Sequence, residues 1–248
     1  VKVCTWNVNG IRAREAQLRD LVRRERPDVL CLQEIKASPE QVPPALVTLD
    51  GYFSRFHGAG PYSGVALLVR GEVASGPPPF AHPDFDLECR IVTAELGSTL
   101  LASVYVPNGG KDFPAKVRFL EALDRWASSV GQAGRPLLVC GDLNVTRVDR
   151  DVHPKERKPG AIGQRPEERA LLERILSRGL VDLGRALDPE NDGLFTWWAP
   201  WRSLRQRNIG WRIDYVLASE TLARSARRCV VLAEFGTSDH APVIAEFA

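Results

Sequence analysis

Pro136-Leu-Leu-Val-Cys-Gly-Asp-Leu-Asn144 is an apolar run that halts at Gly141 and then presents a carboxylate, Asp142, and a carboxamide, Asn144. Bounded by Arg135-Pro136 in front and Gly141 behind, it is too short and too uniformly apolar for a helix and reads as a buried strand. Residues two apart in an extended chain point to the same side. Asp142 and Asn144 therefore leave the core together, placed to converge on a metal or a phosphate. Gly, Asp and Asn are also ordinary turn residues, and the motif taken alone favours a plain strand-to-turn boundary.

Repetition changes that balance. Val1 to Val8 is strand-like and carries Asn7, with Asn9-Gly10 behind it; Asp28-Val-Leu-Cys-Leu-Gln-Glu34 is another strand ending in a carboxylate. Asp214 stands at the start of a strand in Arg212-Ile-Asp-Tyr-Val-Leu, and Ser238-Asp-His-Ala-Pro is expected to open the last strand with Asp239 and His240. If these strands share an edge, it collects four carboxylates, two or three amides and an imidazole, the composition of a divalent-metal and phosphate site.

No linker, charge block or low-complexity segment divides the 248 residues, which read as one domain spanning 1–248. No apolar run is long enough to span a bilayer, and the N-terminus enters a strand without an apolar signal region. The expected setting is the cytosol or a bacterial nucleoid. Val at position 1 in a chain without Met leaves room for a trimmed initiator or leader. Five cysteines without a C-x-x-C pair exclude a metal cluster or disulfide framework, and Cys4, Cys31 and Cys140, inside apolar strand patterns, take structural roles. Net charge is only +2, so a nucleic-acid partner has to be argued from distribution. Only six of the 33 basic residues are lysines, and Arg grips phosphate bidentately, although codon composition explains that bias equally well. Arg147, Arg150, Lys155, Arg157, Lys158 and Arg165 follow the central motif, and Arg202, Arg205, Arg207 and Arg212 are interleaved with Trp197, Trp198, Trp201 and Trp211. Such interleaving suits a surface that grips a backbone and stacks bases; Trp198 is assigned to the core.

Hydrophobic periodicity predicts helices over Arg14–Arg26, Phe113–Val130 and Pro166–Ser177, the last begun by proline and two glutamates. Strands are predicted over Tyr52–His57, Gly64–Arg70, Arg90–Leu96, Thr99–Val106, Arg227–Phe235 and Ala241–Phe247. Hairpins together with helices imply an α+β fold of two packed mixed sheets with helices outside. His57, His82 and His153 lack acidic neighbours like those of His240 and are left structural.

Six blocks in order, Cys4-Thr-Trp-Asn-Val-Asn-Gly-Ile-Arg-Ala-Arg, Leu32-Gln-Glu-Ile-Lys, Tyr105-Val-Pro-Asn-Gly-Gly, Gly141-Asp-Leu-Asn, Asn208-Ile-Gly-Trp-Arg-Ile-Asp-Tyr and Ser238-Asp-His-Ala-Pro, resemble the motif series of the exonuclease III family of AP endonucleases. The resemblance covers the chain end to end and implies a four-layered α/β sandwich. It implies Glu34 as principal Mg²⁺ ligand, with Asn7 and Asp239 close by and Mn²⁺ as an alternative ion. Asp142 would orient or deprotonate the attacking water and Asn144 would bond the developing phosphorane. His240, partnered by Asp214, would bind phosphate, and Tyr105 and Asn108 would touch the scissile phosphate. A second metal on Asp142, Asn144 and His240 stays open. Position 9 is Asp or Asn among relatives; Asn9 removes one charge from the metal neighbourhood and leaves its ligand role in doubt. Lys111, Arg147, Lys155, Arg157, Lys158 and Arg212 are expected to contact DNA, and Trp197, Trp211 and Ile213 to form an apolar pocket for an abasic sugar.

Three functions follow. The first is a monomeric Mg²⁺-dependent DNA repair nuclease acting on duplex DNA with abasic sites or blocked 3′ ends. It would cut 5′ to the abasic site and trim 3′ ends with 3′ to 5′ exonuclease action. The second is a phosphatase or phosphodiesterase of the same superfamily acting on inositol phosphates or lipids. The third is a binding module that keeps the fold without catalysis. The second has no reason to keep Asn208-Ile-Gly-Trp-Arg-Ile-Asp or Tyr105-Val-Pro-Asn, and for the third no expected polar group is missing. The first is therefore preferred.

Overall fold

A computed structural model describes residues 1–49 and 51–248. The chain opens with β1 (Lys2–Asn7), α1 (Glu15–Glu25) and β2 (Val29–Gln33). α1 ends where Arg26 turns left-handed (φ 45°) and returns its N–H to the Val22 carbonyl, and Pro27 then bars continuation. After α2 (Pro44–Val47), the strands β3 (Tyr52–His57) and β4 (Val65–Arg70) form a hairpin. β5 (Phe80–Ala81), β6 (Ile91–Leu96) and β7 (Thr99–Tyr105) follow, β6 and β7 being joined across Gly97-Ser98. Asp112 caps the long helix α3 (Phe113–Gln132), its carboxylate accepting the Ala115 N–H at 2.9 Å. The central strand β8 (Leu137–Asp142) comes next, then α4 (Pro166–Leu176), β9 (Leu180–Asp182), α5 (Leu183–Leu187), β10 (Asp214–Ser219), α6 (Glu220–Ala223), β11 (Ala226–Val231) and β12 (Val243–Phe247).

The strands form two six-stranded mixed sheets, ordered β11-β12-β1-β2-β4-β3 and β5-β6-β7-β8-β10-β9. β1 runs parallel to β2, and β7 to β8; β10 and β12 run antiparallel to β8 and β1. The uniform apolarity of the central strands has a simple cause. Alternate residues of β8 serve opposite faces: Leu137 and Val139 join the cluster under α3 and α4, while Leu138 and Cys140 join the cluster between the sheets. β2 divides in the same way, Val29 and Cys31 between the sheets, Leu30 and Leu32 under α1 and α2. Helix, sheet, sheet and helix make the four layers expected from the sequence.

Most boundaries fall within two residues of expectation, and two differ by more. The last strand starts at Val243; Ser238 and Asp239 lie in a bend before it and His240 makes an isolated bridge to Trp197, because Pro242 has no N–H to give a ladder. β11 stops at Val231, and Leu232–Phe235 turn instead, closed by Phe235 N–H on the Leu232 carbonyl. Four of the five cysteines are buried, and none is bridged.

Candidate active site

Parallel strands end at the same edge, and antiparallel strands begin there. The C-terminal ends of β1, β2, β7 and β8 thus meet the start of β10 and the bend before β12. Tyr105 and Asp214 both register with Asp142, Asn7 registers with Gln33, and Glu34 follows immediately. Glu34 (φ 48°) and Asn144 (φ 53°) are left-handed, so the chain turns as soon as it leaves the core. Asn tolerates this conformation; Glu34 is held in it by its carbonyl accepting from Gly10 N–H and by Ile35 N–H on the Gly64 carbonyl.

The side chains interlock. Asn7 Nδ2 donates to Glu34 Oε1 at 3.0 Å and to Asp142 Oδ2 at 2.9 Å. Asn144 N–H donates to Asp142 Oδ1 at 2.9 Å, and its amide spans the Val106 carbonyl and the Asn108 amide. His240 Nδ1 lies 2.9 Å from Asp214 Oδ2, and its Nε2 lies 3.8 Å from Asp142 Oδ2. Burial opposes a charge on His240, but Asp214 and Asp142 outweigh it and push its pKa up to about 10. The ring is therefore an imidazolium at neutral pH. Burial, with Asp214 and Glu34 adding to it against His240, raises the Asp142 carboxyl to about 8. Glu34 goes the other way: burial is outweighed by bonds from Asn7 and Lys36, and it stays ionised below the usual range. Burial and the Glu34 and Asp142 charges raise the Tyr105 phenol, keeping it a donor beneath Arg90, whose guanidinium lies 4.7 Å from the ring centroid.

Among the described residues, Glu34, Asp142 and His240 place ligand-type atoms within 4.8 Å of one another. A hard divalent cation fits the oxygens of this set, with Glu34 the ionised donor. His240, bonded to Asp214 through Nδ1, lines the cleft with its Nε2 3.8 Å from Asp142 Oδ2, and in its charged form it suits a phosphate oxygen. Asp239 lines the same cleft, its oxygens accepting Asn9 Nδ2 at 2.8 Å and Trp197 Nε1 at 3.0 Å. Asn7 faces the carboxylates with its NH₂, and its Oδ1 accepts Asn9 N–H. Lys36, not singled out from the sequence although two residues past Glu34, bonds both Glu34 Oε2 (2.8 Å) and Asn9 Oδ1 (2.6 Å).

One cleft of about 250 Å³ joins these groups to the expected sugar pocket: Glu34, Tyr105, Asn108, Asp142, Asn144, Asp239 and His240 line it together with Trp197, Trp211 and Ile213. The two indoles meet edge to face, with centroids 5.4 Å apart. Lys111, Lys155, Arg157 and Lys158 are exposed; Arg147 is half-buried on Glu173. Arg212 requires a correction. It is 2% exposed, with four of its five N–H groups held by Asp151 and Asp182 at 2.7–2.9 Å, so it braces the fold from inside and does not reach the surface where DNA would lie. Trp198 is in the core as expected. His57 does have an acidic neighbour, Asp86 at 2.6 Å, and stacks on His82.

Several supports carry no signal in the sequence. The Thr196 hydroxyl accepts the N–H groups of both Ile213 and Asp214 at 3.1 Å, and Ser238 Oγ donates to the Asn7 carbonyl. Gln33, Thr5 and Ser103 form a buried polar layer beneath the site.

An ionised glutamate, a buried acid of raised pKa and an oriented imidazolium around one cleft are what hydrolysis of a phosphate ester demands: a cation site, a proton acceptor and an anion clamp. Comparison with known proteins gives the same class. The endonuclease/exonuclease/phosphatase family model matches residues 4–240. The exodeoxyribonuclease of Bacillus subtilis is 33% identical over 98% of this chain and 98% of its own. Recombination repair protein 1 of Drosophila melanogaster is 32% identical over 98% of this chain, which spans only 36% of that longer protein. Among solved structures, a 3′-5′ exonuclease from Neisseria meningitidis superposes with TM-score 0.91 (30% identity, 100% of this chain, 99% of the other). An AP endonuclease from Archaeoglobus fulgidus superposes with TM-score 0.87 (28% identity, 100% and 99%). The chain belongs to the endonuclease/exonuclease/phosphatase family, within its exodeoxyribonuclease III branch, and is a hydrolytic nuclease.

Proposed function

We propose that this nuclease repairs DNA by hydrolysing the phosphodiester 5′ to abasic sites in duplexes, with 3′ to 5′ exonuclease and 3′-end trimming as weaker activities, and that it works as a monomer with Mg²⁺ or Mn²⁺. The observation that carries the reading is the shared cleft: the phosphate-facing groups and the Trp197–Trp211–Ile213 wall line one volume of about 250 Å³. The apolar wall beside the phosphate-facing groups suits a flipped-out sugar without a base, whereas a normal nucleotide would first have to leave its pair and stack. The names of the relatives, exonucleases and AP endonucleases among them, support both activities.

Glu34 would hold the cation, which when bound supplies charge neutralisation at the phosphate. Asp142 takes the proton of the attacking water, its raised pKa suiting a base near neutrality. His240, kept charged and oriented by Asp214, grips a phosphate oxygen, while Tyr105, Asn108 and Asn144 donate to the others. Asn7 holds Glu34 and Asp142 at fixed separation, and Asp239 orients Trp197. A side-by-side assay tests the proposal: abasic and undamaged duplexes with Mg²⁺ or excess EDTA. Rapid, EDTA-sensitive nicking of the abasic duplex is expected; equal attack on both, or no abasic cleavage, would refute it.

A further inference from the structure

Lys116 sits in the first turn of α3 with its side chain turned inward and fully buried. Its ammonium donates to the main-chain carbonyl of Asn144 at 2.7 Å and pairs with Glu168, which is equally enclosed in the first turn of α4. Glu168 accepts the Gly163 N–H on both oxygens, at 2.8 and 2.9 Å. The Gly163 carbonyl in turn receives the N–H and the hydroxyl of Thr146 at 2.7 and 2.8 Å. Two buried charges, one from each outer helix, thus tie both ends of the loop that flanks the cleft. One tie falls on the residue whose amide faces the phosphate site. The other falls behind the pocket wall: Gly163 (φ 90°) is pressed so close that a Cβ there would stand 3.0 Å from the Trp211 ring and 3.2 Å from the Asn144 carbonyl. The lysine stem is seated as closely, since a Cβ on Gly109 would lie 2.9 Å from Lys116 Cδ.

A buried ion pair is a poor device for stability, because an apolar replacement is often as stable or more so. It is a good device for fixing position, since each of its bonds is directional. We propose that Lys116, acting with Glu168, is a positioning residue of the nuclease: it fixes the main chain of Asn144 and, through Gly163, the Trp211 wall, so that phosphate site and sugar pocket keep one spacing. The proposal rests on the function proposed above. Displacement of a reacting group by about 1 Å costs on the order of 100-fold in rate, so Lys116→Met is expected to lower kcat on abasic duplex by that order with little change in KM.

A double-variant cycle tests it. Lys116→Met, Glu168→Gln and Asn144→Ala are compared singly, and each of the first two is combined with Asn144→Ala, with folding checked by circular dichroism and melting. If Lys116 works through Asn144, its kcat loss disappears in the Asn144→Ala background, to within about twofold. A general structural defect would multiply with the Asn144 loss instead, and that outcome, or an unaltered kcat in a folded Lys116→Met protein, overturns the proposal. Should Lys116→Met not fold, Glu168→Gln, which keeps an acceptor for Gly163, decides the question by the same criterion. A parent enzyme inert on abasic duplex would refute the function instead, and the cycle is then read on whichever phosphodiester the parent hydrolyses.

Discussion

Asp142 is fully enclosed, and burial together with Asp214 and Glu34 raises its pKa to about 8. Replacing it with Asn should therefore separate catalysis from stability. Turnover should fall about 10²- to 10⁴-fold, as for loss of a general base, while the thermal midpoint at pH 7 rises. The sign follows from linkage: the wild-type protein loses stability as pH climbs from the ordinary carboxyl value of 3.8 to about 8. The advantage of Asp142→Asn should grow across that window in melting curves. His240 works in the opposite sense. Its pKa is raised from 6.5 to about 10, so its contribution is complete below pH 6.5 and fades as pH approaches 10. Wild type minus His240→Gln stability, measured by urea denaturation, should shrink over that interval. Glu34→Ala should lose on the order of 10³-fold in rate and respond little to added Mg²⁺ in titrations.

Three elements meet at Arg212: β10 follows it directly, the loop after β8 supplies Asp151, and β9 ends in Asp182. Arg212→Leu should remove the cation shared by two buried carboxylates, leaving Asp151 to Arg185 at 2.6 Å and Asp182 to the more distant Arg147 at 3.7 Å, and cost about 3–5 kcal/mol in denaturant unfolding, with no change in the salt dependence of DNA binding by the fraction that remains folded. The exposed side chains of the same loop should behave otherwise. Each phosphate contact contributes about 0.9 to the slope of log affinity against log salt, so neutralising Lys155, Arg157 and Lys158 together should flatten that slope. At this scale the sequence was readable where one segment decides its own structure. The helices α1, α3 and α4 carry amphipathic spacing with proline at a start or just past an end, and the strand ends announce themselves as apolar runs broken by Asp, Asn or Glu. β5, β9, α2, α5 and α6 are two to five residues long, too short for periodicity, and exist through their neighbours. Arg212 was misread for the same reason: it resembles a basic residue among tryptophans, and its partners lie 61 and 30 positions away. Lys116 and Thr196 act through contacts of that kind as well.

For the molecule as a whole, the net charge of +2 gives little long-range attraction to DNA, so selectivity has to come from the cleft between the sheet edges. Its two halves were separable in the sequence but not their union: the acids and amides were legible at strand ends, whereas the opening of Trp197 and Trp211 into the same space depends on the 197–212 loop folding back over that edge. The measurement that bears most directly on this is kcat/KM for wild type and Trp211→Ala on two substrates, a duplex with one abasic site and a duplex ending in a 3′ phosphate. Removing the indole should depress the abasic reaction by about tenfold or more beyond its effect on the 3′ phosphate, since only the former needs the pocket. Equal losses on both substrates, or wild-type protein that degrades undamaged ends as fast as it nicks abasic sites, would contradict the account and return Trp211 to the core.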